Sequence, residues 1–230
     1  MDLWERLAQT QPPPTPETLA LVAALAVALI AWPRSWRVLR QVVTIAHEAA
    51  HALVGVLTGR ELSGIRLHRD TSGLTVTRGR PRGPGMVATL LAGYLGPGLL
   101  GLLGALLLSS GRAVLLLWLL LALVAGMVLW IRNAFGLLAL TGCVAVLLGV
   151  TRYLDASQQS AFALLVVVFL LLAAPRAVLD LYRSRRPHGA SDADQLARLT
   201  RVPAPLWVLA FGLGTLGCAV LGGRLLIGWA

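Results

Sequence analysis

The feature that most limits what this chain can fold into is its set of long, uncharged apolar blocks. Residues 113–131 and 161–174 contain no charged side chain at all. The hydrocarbon core of a bilayer is about 30 Å thick, so a crossing helix needs roughly 20 such residues. Only helices and closed barrels satisfy every main-chain polar group at that depth. Apolar blocks recur at about 17–32, 35–58, 85–109, 112–131, 134–151, 158–182 and 204–227. This pattern predicts an all-α polytopic membrane protein with about seven transmembrane helices. Composition points the same way: 57% of the 230 residues are hydrophobic and 13% charged, against roughly 45–50% and about 25% in soluble domains. Residues 1–16 read as a polar N-terminal lead-in and 17–230 as a single membrane-embedded domain.

The net charge of +10 comes from arginine to the exclusion of lysine. These arginines fall mostly between apolar blocks, as topology signals on cytoplasmic loops do. No basic face is left over for nucleic acid, so the lipid bilayer is the expected surrounding and nucleic acid is not a partner. An arginine-only basic set suggests a GC-rich bacterial genome, hence a multi-pass protein of a bacterial cell membrane. If the N-terminus is cytoplasmic, the same side holds Arg6, the arginines from Arg60 to Arg82, Arg132, and those from Arg183 to Arg201. Cys143 and Cys218 lie within apolar runs and read as small buried hydrophobes. The start of the chain lacks the basic n-region and small-residue site of a cleaved signal peptide.

One segment departs from helical patterning. In 61–79, Ile65, Leu67, Leu74 and Val76 alternate with polar residues around Asp70-Thr71-Ser72-Gly73. Period-two alternation flanking a turn composition predicts a small β-hairpin. The next apolar block carries Gly93, Gly96, Gly98, Gly101 and Gly104, a spacing that lets a neighbouring helix approach closely.

The residues that carry chemistry are His47-Glu48-Ala49-Ala50-His51. On a helix, side chains four apart lie on one face, one turn above each other, so both imidazoles can reach a single Zn²⁺. Glu48 projects from the adjacent face, where it can accept a proton from an attacking water without becoming a ligand. With four histidines in the chain, this pattern arises by chance in about one such chain in a thousand. Its place inside the apolar run Val42–Leu57 makes chance a poorer account still. Ionisable groups there cost roughly 2.5–3.5 kcal/mol each unless something offsets them, and a divalent cation does so.

On these residues the chain resembles the site-2 protease family of intramembrane zinc metallopeptidases, in its compact bacterial branch without a PDZ domain. The match runs through His47 to His51, Gly64 to Gly79, Ala92-Gly93-Tyr94-Leu95-Gly96-Pro97, Arg132-Asn133-Ala134-Phe135-Gly136 and Ser191-Asp192-Ala193-Asp194-Gln195-Leu196. The resemblance implies cleavage of peptide bonds in membrane-spanning or membrane-associated protein substrates. Glu48 would be the general base, and the hairpin an edge strand that holds the substrate extended. It also implies a third, aspartate ligand to the zinc. The family's usual L-D-G is absent here. Asp192 ranks first for that role, Asp194 second, and Asp180, within Leu179-Asp180-Leu181, third. Asn133 reads either as a holder of substrate backbone or as an interfacial polar residue. The missing L-D-G keeps a second functional class open, a non-proteolytic polytopic protein that is a metal-binding transporter component or a catalytically silent scaffold.

Overall fold

The computed structural model describes residues 10–185 and 189–229; Trp4, Arg6 and His188 lie outside them. Eight α-helices and one hairpin make up the described chain. In order they are α1 (Pro16–Ala31), α2 (Pro33–Leu57), β1 (Glu61–Leu67), β2 (Gly73–Arg78), α3 (Pro84–Ser109), α4 (Ala113–Val128), α5 (Ala134–Tyr153), α6 (Ala156–Ser184), α7 (Asp192–Thr200) and α8 (Ala204–Trp229). The polar lead-in ends at Thr15, whose hydroxyl accepts from the Thr18 N–H and caps α1.

Among the described residues four helices, α3, α5, α6 and α8, are long and apolar enough to cross a bilayer; the count is five if the bent pair α1–α2 is one span. Seven separate spans are therefore not confirmed. The main difference lies at Pro33. A residue before proline is pushed to extended backbone, and Trp32 adopts φ −75°, ψ 120°. The chain turns there by 102°. Helix α4 has only 16 residues, about 24 Å at 1.5 Å per residue. It falls short of the roughly 20 residues of a crossing helix, although it runs from the Gly111 end of α3 to the hairpin end, where Trp130 and Arg132 pair with Ile65.

This bend also changes the expected topology. The Gln11 N–H donates to the Gly111 carbonyl at 2.9 Å, just past the C-terminal end of α3. The hairpin immediately precedes the N-terminal end of α3. The lead-in and the hairpin therefore lie at opposite ends of that helix, and α1 with α2 makes one traverse between them. The arginines from Arg60 to Arg82, Arg132 and the described ones of 183–201 gather at the hairpin end, while Arg112, Arg152 and Arg224 lie toward the other.

The glycines of α3 do bring helices close. Additional Cβ atoms at Gly101 and Gly104 would press on Leu171 and Val167 of α6, and one at Gly98 would just touch Ala174. Along α6 those three residues run opposite to α3, and α3 also packs on α8 through Thr215 and Cys218. Val167, Leu171 and Leu108 sit at the centre of the main apolar core. The two cysteines are free and unpaired.

The hairpin strands pair antiparallel, with Ile65 opposite Thr75 and Arg66 opposite Leu74. In the turn, Asp70 accepts from the Ser72 hydroxyl and N–H at 2.7 and 3.0 Å, and these bonds hold its carboxyl below the ordinary range. Ile65 and Leu67 are fully buried, whereas Leu74 and Val76 are exposed at 50% and 43%. The apolar side chains of β2 thus face outward, and its threonines face the bundle.

Candidate metal centre

His47 and His51 sit one turn apart on α2, as their spacing requires. Asp192 is the first residue of α7. That short helix is placed by its apolar side. Ala193 and Leu196 are fully buried against Leu90 of α3, Val178 and Leu181 of α6, and Phe211 of α8. Docking α7 there brings the Asp192 carboxylate to both imidazoles. Its Oδ2 lies 3.2 Å from His47 Nε2 and 3.3 Å from His51 Nε2, and the two Nε2 atoms are 2.9 Å apart.

A tetrahedral ion bonded at about 2.0–2.1 Å sets its ligand atoms about 3.3–3.4 Å apart. The two histidine–aspartate distances suit such a metal, and the two imidazole nitrogens stand closer than that spacing. Asp192 Oδ2 is buried and within ion-pair distance of both rings, yet it forms no hydrogen bond of proper geometry. Among the described residues, this is the group of His, Cys, Asp and Glu side chains close enough to share an ion. The surroundings reinforce the fit. His51 Nδ1 lies 2.7 Å from the Thr89 carbonyl, so the ring donates there and turns the Nε2 lone pair toward the cluster, as the outer partners of metal-binding histidines do. The edge of His47 meets the Tyr94 ring at 4.8 Å, and Tyr94 stacks on Phe211 at 5.1 Å. Gly93 leaves room for the imidazoles, since any Cβ at that position would run into both.

The other two aspartates are engaged elsewhere. Asp194 accepts from the Ser191 hydroxyl at 2.6 Å and from its N–H at 3.2 Å, completing a capping box, and it pairs with Arg185 at 3.4 Å. Asp180 accepts from the Trp36 indole at 2.9 Å and pairs with Arg176 at 3.4 Å.

Glu48 is 3% exposed and stands beside the cluster rather than in it. The Thr75 hydroxyl of β2 donates to its Oε2 at 2.6 Å. Gly73 gives the carboxylate its space, because a Cβ there would collide with it. The Thr44 hydroxyl donates to the Thr71 carbonyl at 2.7 Å and ties the hairpin turn to α2. Gly73 reads from the sequence only as part of a turn, and none of Thr75, Gly73 and Thr44 is marked there as a residue of the site. A threonine on the strand next to an H-E-x-x-H helix is the signal that was available.

The hairpin has one closed edge and one open one. Ile65 donates to the Trp130 carbonyl at 2.8 Å and accepts from the Arg132 N–H at 2.9 Å. Asn133 continues that pairing with its side chain. Its Nδ2 donates to the Leu67 carbonyl at 2.7 Å, and its Oδ1 accepts from the Leu67 N–H at 3.2 Å. Asn133 therefore holds the protein's own β1 strand. With the main-chain groups of Ile65 and Leu67 turned away from β2, alternation of antiparallel pairing leaves Gly73, Thr75 and Thr77 pointing their main-chain groups away from β1. These residues line a cavity of about 380 Å³ together with His47, Glu48, His51 and Asp192. Asn133→Ala should leave both Leu67 groups unpaired, at a local cost of about 1–3 kcal/mol. Hydrogen exchange should then show lost protection over 61–67 with the helices unchanged.

A bundle of apolar helices that buries a His–His–Asp cluster beside a carboxylate defines a multi-pass membrane protein with the makings of a metal site. A family model described as Peptidase M50B-like matches residues 20–222. The chain belongs to that family, and its membership in the site-2 protease group, read from the sequence, is borne out. No curated protein and no solved structure gives a significant match.

Proposed function

We propose that this protein is a zinc-dependent intramembrane endopeptidase of a bacterial cell membrane. The observation that carries this reading is the convergence, in one cavity, of the His47–His51–Asp192 cluster, the buried Glu48 carboxylate and the open edge of β2. His47, His51 and Asp192 would hold the ion, which when bound polarises a scissile carbonyl and acidifies water. Glu48, oriented by Thr75, takes the proton of the attacking water and delivers it to the leaving amine.

A membrane-spanning substrate keeps its carbonyls bonded within its own helix, so it must unwind before attack. The main-chain groups of Gly73, Thr75 and Thr77 offer it replacement partners as an added strand. Trp130, Arg132 and Asn133 occupy the opposite edge, which leaves the site-facing edge for that pairing. The arginine asymmetry supports a cytoplasmic hairpin end. The absent L-D-G favours, against this, a metal-binding scaffold without proteolysis.

The two are separated by reconstituting the full chain with single-span model substrates in liposomes. Cleavage that a chelator stops and added zinc restores, with one new N-terminus within or beside the span, is the expected result. Intact substrates under every zinc condition would favour the scaffold.

A further inference from the structure

Arg40 has no role in the chemistry above, yet its position is unusual. It lies seven residues before His47, which is about two turns and about 20° from the same helical face. It is the one arginine among the described residues that line the cavity of the metal cluster. Arg34 and Arg37, on the preceding turns, are exposed, whereas Arg40 is half-buried. Among the described residues its guanidinium takes part in none of the ion pairs. Asp192 and Glu48 match the charge of a divalent ion, which leaves Arg40 uncompensated. An arginine of a membrane segment that faces a cavity without a partner marks a path for an anionic group.

We infer that Arg40 is a specificity-determining residue that binds an acidic side chain of the substrate, a reading that rests on the peptidase assignment. Seven helical residues rise about 10 Å, and an extended chain covers about 3.3 Å per residue. The acidic residue therefore falls about three positions from the bond to be cut. Gly73 lies by Glu48 and Thr77 by Gly55, so β2 runs in the same direction as α2 and Arg40 lies beyond its Gly73 end. A substrate antiparallel to β2 would place the acid on the C-terminal side of the cut, and a parallel one on the N-terminal side.

The test uses the full chain in nanodiscs of neutral lipid. Twelve-residue apolar peptides carry a single Asp, Asn or Lys at each position in turn. Binding is measured on the Glu48→Gln protein, and cleavage on the active one. At one position near the third from the cut, Asp should bind about tenfold more tightly than Asn. Arg40→Gln should abolish that preference, and Arg40→Glu should transfer it to Lys, with zinc content unchanged in both. Equal binding of all three residues, or an Asp preference that survives Arg40→Gln, overturns the inference. So does phosphatidylglycerol that co-purifies in an Arg40-dependent way without any peptide preference. If Arg40-dependent binding holds but no peptide is cut, the peptidase reading fails and the acid site stands. If peptides are cut regardless of charge, the reverse is true.

Discussion

Glu48→Gln is expected to keep zinc and fold while losing hydrolysis by about 10²–10⁴-fold, the usual contribution of a positioned acid–base group. The substitution changes shape very little. The Thr75 hydroxyl, now 2.6 Å from the carboxylate, can donate equally well to the amide oxygen. Gly73 still leaves the space. What disappears is the ability to take a proton and pass it on. The three atoms that would bind the ion are untouched, because Glu48 lies outside their triangle. Turnover and zinc content measured on one preparation separate the two roles. Near-normal turnover with normal zinc would assign Glu48 another task.

The second large effect concerns Asp192. Asp192→Asn keeps the size of the side chain at the first position of α7 but removes the charged oxygen that lies 3.2 and 3.3 Å from the two imidazoles. Zinc affinity should fall by more than the 10–100-fold typical of changes outside the ligand shell, and activity with it. Asp194→Asn should behave differently. It weakens the capping box with Ser191 and the pair with Arg185, at a cost of about 1 kcal/mol in stability, with zinc affinity changed only a few-fold. Competition titration with a chromophoric chelator distinguishes the two variants. The opposite order would move the ligand role to Asp194.

The apolar blocks gave the helix positions to within a few residues, because a crossing helix must exclude charge along its length. They gave the count of spans less well. Pro33 announced a stop, but the size of the turn, 102°, is not set by Trp32-Pro33 alone; beyond it Trp36 and Val43 share a buried cluster with Phe169 and Ala173, more than 120 residues away in sequence. The same limit hid the contact between Gln11 and Gly111 and hence the correct end for the lead-in. Alternation found both strands, but it did not give the outlook of β2. In water Leu74 and Val76 would turn inward; in this protein they are exposed and Thr75 serves Glu48.

At the site, H-E-x-x-H carried most of the information, since its spacing alone puts two imidazoles on one face. The aspartates were harder to separate by chemistry, yet Ser191-Asp192-Ala193-Asp194 has the form of a capping box. That pattern assigns Asp194 to its helix end and leaves Asp192 free, so part of the answer was already in the spacing. Asn133 could not have been placed from sequence, because its partner Leu67 lies 66 residues away.

The most direct test of the account is the metal content of purified protein, measured by elemental mass spectrometry on the wild type and on His47→Ala and His51→Ala. An ion held by two imidazoles and a carboxylate is expected to bind tightly enough to survive purification. About one zinc per chain in the wild type and almost none in either variant is the result expected. A metal-free wild type that cannot be loaded with zinc, or full zinc retention in both variants, would contradict the assignment of His47, His51 and Asp192 as a metal centre.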